Sequence, residues 1–248
     1  MNARISCLAL ACATLLGVSA PAFAQNGTLQ FQANGEELTT KGFRAPKLTK
    51  DGWALKFTNV YVALSDVTAY QTSAPYDADK NGDIPVKSQV ALPGMHVVDL
   101  VKGADKEGLV PVGQVQAPAG HYNAISWKVT PAKSGPAAGY ATVFVGKATK
   151  AGKTVDFKLV SKEGATYRCG EYVGDERKGF LAANGKSNME MTFHLDHIFG
   201  DASAGAGHDM NKTAVGFAPF AKGGTHTIAL KGKHIGHAGE GHCNVQWH

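Results

Sequence analysis

Met189-Glu190-Met191-Thr192-Phe193-His194-Leu195-Asp196 alternates apolar and polar side chains without a break. Successive side chains of a strand point to opposite faces. Met189, Met191, Phe193 and Leu195 therefore line one face as core, and Glu190, Thr192, His194 and Asp196 line the other. Working outward, similar short β-rich runs bounded by Gly, Pro, Asn or Asp recur every dozen residues or so. They cover 28–33, 52–64, 66–71, 96–101, 121–129, 140–145, 154–160, 165–172 and 226–231. About ten short antiparallel strands predict an all-β protein, a β-sandwich or barrel rather than a βαβ fold, and the sandwich is the expectation adopted. The one helix signal is Asp209 or Asn211 as an N-cap before 212–220, a short C-terminal helix interrupted by Gly216 and Pro219.

Composition agrees. The 248 residues include 30 glycines, with 44% hydrophobic and 18% charged residues, which favours many turns over long helices. The net charge of +5 comes from 25 basic and 20 acidic residues with no block of five like charges. Nothing there supports nucleic-acid or membrane-surface binding.

Residues 1–24 read as a secretory signal peptide. Arg4 closes a short basic start, 5–18 is apolar but too short to span a bilayer, and Ala22-Phe23-Ala24 is a small-x-small cleavage site. Cleavage after Ala24 is expected to leave one β-sandwich domain over 25–248, periplasmic or secreted, with no membrane span. Cys7 and Cys12 depart with the signal. In an oxidising compartment the remaining Cys169 and Cys243 are expected to pair, a bridge contributing roughly 4 kcal/mol by loop entropy.

Histidine carries the chemistry. Eight of the ten lie in the last 56 residues. One cluster is His194-Leu195-Asp196-His197 with Asp201 and His208 following. The other is His234-Ile235-Gly236-His237-Ala238-Gly239-Glu240-Gly241-His242-Cys243. Imidazole is the commonest protein ligand for zinc and copper, and carboxylates complete such shells. A regular strand would put His197 opposite His194. For both to reach one ion, the strand must end near Asp196 and bend, as Gly200-Asp201 allows. The expected disulfide would pin His242 beside the 167–172 strand, with Glu171 close by. His194 and His197 are the first candidate ligands and His237, His242 and His234 the next, with Asp196, Asp201, His208 and Glu240 completing or orienting the shell.

Tyr76-Asp77-Ala78-Asp79-Lys80-Asn81-Gly82-Asp83 resembles the start of a calcium loop, but Ser88 stands where its closing Glu belongs. A polar turn between strands is the plainer account of Asp77 to Asp83. The chain has no GxSxG, GxGxxG, P-loop, HExxH or CxxCH motif, so no enzyme is expected.

Four stretches carry a family resemblance. They are Phe57-Thr58-Asn59-Val60-Tyr61-Val62-Ala63-Leu64-Ser65-Asp66-Val67, Val97-Val98-Asp99-Leu100, Ala117-Pro118-Ala119-Gly120-His121-Tyr122-Asn123-Ala124-Ile125 and Ala138-Gly139-Tyr140-Ala141-Thr142-Val143-Phe144-Val145. Over about 52–200 their order resembles the periplasmic MbnP-like copper-binding proteins, the methanobactin-operon partners, and His194 falls where that family has a late strand histidine. The resemblance implies a β-sandwich that holds copper in the periplasm or at the cell surface. The chain departs from it over 197–201 and throughout 234–243.

The expectation is a carrier, scavenger or uptake partner for copper or zinc, working with a metal-uptake or redox partner protein. The competing expectation is a metal-free cell-surface module that binds carbohydrate or protein.

Overall fold

The computed structural model describes residues 25–80, 82–103, 108–170, 179–239 and 241–248. The predicted signal peptide, Glu171 and Glu240 lie outside the described residues. Strands make up 51% of the described residues and helices 12%.

Two sheets face each other. The smaller contains β1 (Asn26–Asn34), β5 (Leu109–Pro118), β12 (Lys186–Phe193) and β14 (Gly236–His237), in the order β14-β12-β1-β5. The larger is built on β2 (Ala54–Thr72), which pairs with β3 (Val86–Ala91), β4 (Met95–Asp99), β7 (Ala124–Val129) and β8 (Thr142–Lys150). It continues through β9 (Lys153–Ser161) to β13 (Gly224–Thr227) on one side, and through β10 (Ala165–Cys169) to β15 (Cys243–Trp247) on the other. A ribbon of β6 (Gly120–His121) and β11 (Phe180–Leu181) stands apart. Among the described residues the helices are single turns: α1 (Glu36–Thr40), α2 (Asp196–Phe199) and α3 (Asp209–Thr213).

Most predicted strands are present, and the differences have local causes. The runs 52–64 and 66–71 are one strand, β2, because Asp66 takes a left-handed φ of 52° within a bulge and the chain then resumes its course. The sequence hid β5 behind Pro111 and Gly113, but these sit at a bulge opposite β1, where the missing N–H is tolerated. β3 and β15 were also unexpected. The predicted helix over 212–220 is instead α3 followed by a 3-10 turn at Ala218–Phe220, Gly216 having broken it at φ 74°. Nor is every neighbour antiparallel: β1 runs parallel to β12, and β13 to β9.

The core lies between the sheets. Met189, Met191, Phe193 and Leu195 are all buried, as the alternation required. Trp127 of β7 meets Phe193 of β12 at 6.3 Å and stacks on Tyr167 of β10 at 5.1 Å. A second aromatic knot holds α2 in place: Phe199 packs edge-on against Phe43 at 5.6 Å and Phe144 at 5.9 Å, and lies 6.0 Å from Phe57. Cys169 and Cys243 are directly opposite in the β10–β15 ladder and form a disulfide. Among the described residues no helix is long and apolar enough to cross a membrane.

Candidate functional site

β12 ends at Phe193, and α2 begins three residues later. The strand thus gives way to a helical turn where the first histidine pair needs a bend. His194 and His197 stand three apart and share a side, their ring centres 5.5 Å apart. Aromatic packing of Phe199 fixes α2, so the position of His197 is set from the core.

His237 arrives from the C-terminal segment. β14 pairs with β12, Thr192 opposite His237 and Phe193 opposite Gly236. Only glycine suits position 236, since a Cβ there would lie 2.5 Å from the Tyr167 ring. The ring of His237 sits 4.5 Å from that of His194 and 6.0 Å from that of His197. His242 continues the row, 5.8 Å from His237. Its own carbonyl accepts a hydrogen bond from Gly170 N at 3.2 Å, so the disulfide and this contact together tie the histidine segment to β10.

The ring nitrogens are individually oriented. His194 Nδ1 lies 3.0 Å from Oε2 of Glu36, and His197 Nδ1 donates to the carbonyl oxygen of His234. A carboxylate or carbonyl oxygen accepts, so each contact puts a proton on Nδ1; in the neutral imidazole the lone pair is then on Nε2. Among the described residues none hydrogen-bonds the His237 ring.

Glu36 is the residue that sequence reasoning missed. It opens α1 with a left-handed φ of 56°, a conformation that is costly for a residue with a Cβ. The Asn34 side chain holds the turn: its Oδ1 accepts from Glu36 N at 2.8 Å, while its Nδ2 donates to Glu190 Oε1, also at 2.8 Å. Glu190 accepts in addition from Thr192 Oγ1 at 3.1 Å. This polar relay covers the face of β12 opposite the core, so Glu190 and Thr192 are buried too. A carboxylate following strand one carried no signal near the histidines. Only the parallel β1–β12 pairing, Asn34 opposite Thr192, joins them.

The electrostatics separate the rings. Burial opposes ionisation of Glu36, but the His194 hydrogen bond and the charges of His194, His237 and His197 outweigh it and hold its carboxyl below the usual range. Burial likewise opposes protonation of His194, yet the Glu36 contact and the Asp196 charge raise its pKa. His197 is lowered, chiefly by burial. His237 is lowered most, to about 4, by burial and by the neighbouring imidazoles.

The other candidates are placed as follows. Asp196 accepts from His197 N at 3.0 Å and thus stands beside the pair. His234 contributes its carbonyl, while its exposed ring lies outside the ring-to-ring row. Asp201 caps the following turn, accepting from Ser203 N and Oγ, and His208 is exposed ahead of α3. His226 and His248 are held locally, by Gly223 O at 2.8 Å and by Thr166 Oγ1 at 2.7 Å, so the last residue is not a loose end. In the calcium-like stretch, Asp77 pairs with Lys80 at 2.8 Å and accepts from Asp79 N. His242 Nδ1 lies 4.0 Å from Asp79 Oδ2, so this stretch meets the second histidine cluster.

Among the described residues, no group of three or more His, Cys, Asp or Glu side chains stands arranged to hold a metal ion. The ring centres are close, but the rings cross at steep angles, with His237 turned 76° from His194 and 86° from His197. No protein-family model, curated protein or solved structure matches the chain.

Proposed function

We propose that this protein is a secreted or periplasmic carrier or scavenger of a transition metal, copper(II) or zinc, whose ligands are His194, His197 and His237. The observation that carries the reading is the spacing of three imidazoles, 4.5 to 6.0 Å between ring centres, on three differently anchored segments. Three imidazoles bound tetrahedrally through nitrogens ~2.1 Å from one ion have centres roughly 5 Å apart. The ring centres therefore have the spacing of a three-histidine shell, which His237 would complete by turning about its side-chain torsions.

Two of the rings already have the outer contacts that metal-binding histidines use, a carboxylate on one and a backbone carbonyl on the other. His237 is held neutral, the form that binds metal. Imidazole with carboxylate suits copper(II) and zinc better than copper(I), because Met189 and Met191 are buried in the core. Binding rather than catalysis follows from the lack of any nucleophile setting in the sequence, and the signal peptide with the disulfide favours an oxidising compartment.

The test is elemental analysis and competitive titration of protein purified without a metal column. One tight equivalent, weakened ten-fold or more (about 1.4 kcal/mol) in His194→Ala and in His197→Ala, is the expected result. No bound metal, or unchanged affinity in both variants, would overturn the reading and favour the metal-free surface-binding module.

A further inference from the structure

The histidine row does not stop at the three proposed ligands. It extends outward, and exposure rises along it: the His194 side chain is 21% exposed, His242 is 72% and Asp79 is 83%. His237 lies between, 4.5 Å from the inner His194 and 5.8 Å from the outer His242. Asp79 stands in the turn at Ala78–Lys80, against β15, and its carboxylate faces His242 at 4.0 Å. Neighbouring Asp77 is differently engaged, since Lys80 and the Asp79 backbone N–H occupy its oxygens. Asp79 thus carries the negative charge of the turn that points toward the histidines.

The geometry points to a second, outer metal position formed by His242 and Asp79, which captures the ion and passes it to the inner site through His237. This rests on the reading of His194, His197 and His237 as inner ligands. His237 has a ring neighbour on each side, His194 at 4.5 Å and His242 at 5.8 Å. An ion held by His242, Asp79 and His237 can therefore exchange ligands one at a time: bonds to His242 and Asp79 break as bonds to His194 and His197 form, with His237 retained. Two exposed ligands and one shared ring make a weak station, suited to fast capture and fast release. The inner position, half-closed and oriented by Glu36 and the His234 carbonyl, retains the ion. The arrangement also gives the acidic turn a use that a closed calcium loop does not supply.

Rapid mixing of the disulfide-bonded protein with copper(II), followed by tryptophan fluorescence, measures the loading rate, and competition with a chelator measures the affinity. His242→Ala and Asp79→Asn are each expected to slow loading about five-fold or more. Their equilibrium affinity should remain within about three-fold of the parent, so release slows in step. Asp83→Asn removes the same charge from the same loop and should leave the rate unchanged. Unchanged loading in both His242→Ala and Asp79→Asn overturns the outer position, as does an equal slowing by Asp83→Asn, which would be general electrostatic steering. An affinity loss in His242→Ala as large as that in His237→Ala also overturns it, because His242 would then be an inner ligand. A parent protein that binds no copper removes the inner site itself, which is a different failure and is visible before any variant is made. Both substituted side chains are exposed, so the fold is not at risk.

Discussion

Glu36 Oε2 lies 3.0 Å from Nδ1 of His194, across the seam where β1 runs parallel to β12. The contact depends on an unusual backbone conformation at Glu36 and on the Asn34 amide that stabilises it. A structure that maintains such strain over-determines it with other contacts, and here these lead from Glu190 through Asn34 to the histidine.

Glu36→Gln keeps a hydrogen-bond acceptor but removes the charge that makes His194 a better donor of its lone pair. Metal affinity should fall about ten-fold, and about 100-fold at most in Glu36→Ala, with a small fall in melting temperature because the His194 contact also stabilises the fold. Competitive titration checks it, and an unchanged affinity in both variants would show that Glu36 has no part in orienting the ring.

How much of this was legible in the sequence depended on distance along the chain. The core face of β12 followed from alternation alone, because Met189, Met191, Phe193 and Leu195 obey a local rule. The bend after His194 was legible as a requirement, but its means, the burial of Phe199, was not. Glu36 was out of reach, since nothing local links a residue after β1 to one at the end of β12. Asp201 and His208 were candidate ligands because they follow the histidines closely; Asp201 caps the next turn through Ser203, and His208 is exposed ahead of α3. The disulfide was readable because the two cysteines that follow the predicted signal peptide leave one pairing.

In metal-free protein the His237 ring should titrate near pH 4, read by its NMR chemical shifts. The unfolded side chain titrates near 6.5. Between those values the unfolded chain takes up a proton that the folded chain refuses, so this group lowers stability as pH falls through the window and contributes nothing above it. His194 and Glu36 act oppositely. The raised pKa of His194 stabilises below its unfolded value and is lost as pH rises, and the lowered pKa of Glu36 stabilises until acid protonates it. A ring that titrates at its ordinary value would contradict the packing described.

Phe199 is fully buried among Phe43, Phe57 and Phe144. Phe199→Ala should cost about 3–5 kcal/mol by chemical denaturation. Its second effect distinguishes it from other core truncations: α2 loses its anchor, so metal affinity should fall as well. Leu29→Ala, in β1 and equally buried, should weaken the fold while leaving the folded protein's affinity nearer the parent value.

Gly236→Ala places a methyl group against Tyr167, which cannot yield because it stacks on Trp127. A loss of about 1–3 kcal/mol is expected in thermal unfolding. His237 should shift with β14, and metal binding weaken beyond what the stability change explains. Retention of full affinity would mean that the strand reseats without moving its ring.

The parallel pairing of β1 with β12, and the docking of β14 on β12, have a bearing on timing. Contacts between segments so far apart in the chain are slow to form, because loop closure precedes any stabilising gain. The four rings and Glu36 come from the N-terminal strand connection, the end of β12 and the last strands before the disulfide. A half-folded chain therefore has the histidines but not their arrangement. The complete cluster requires both pairings, so its presence reports that the sandwich has closed.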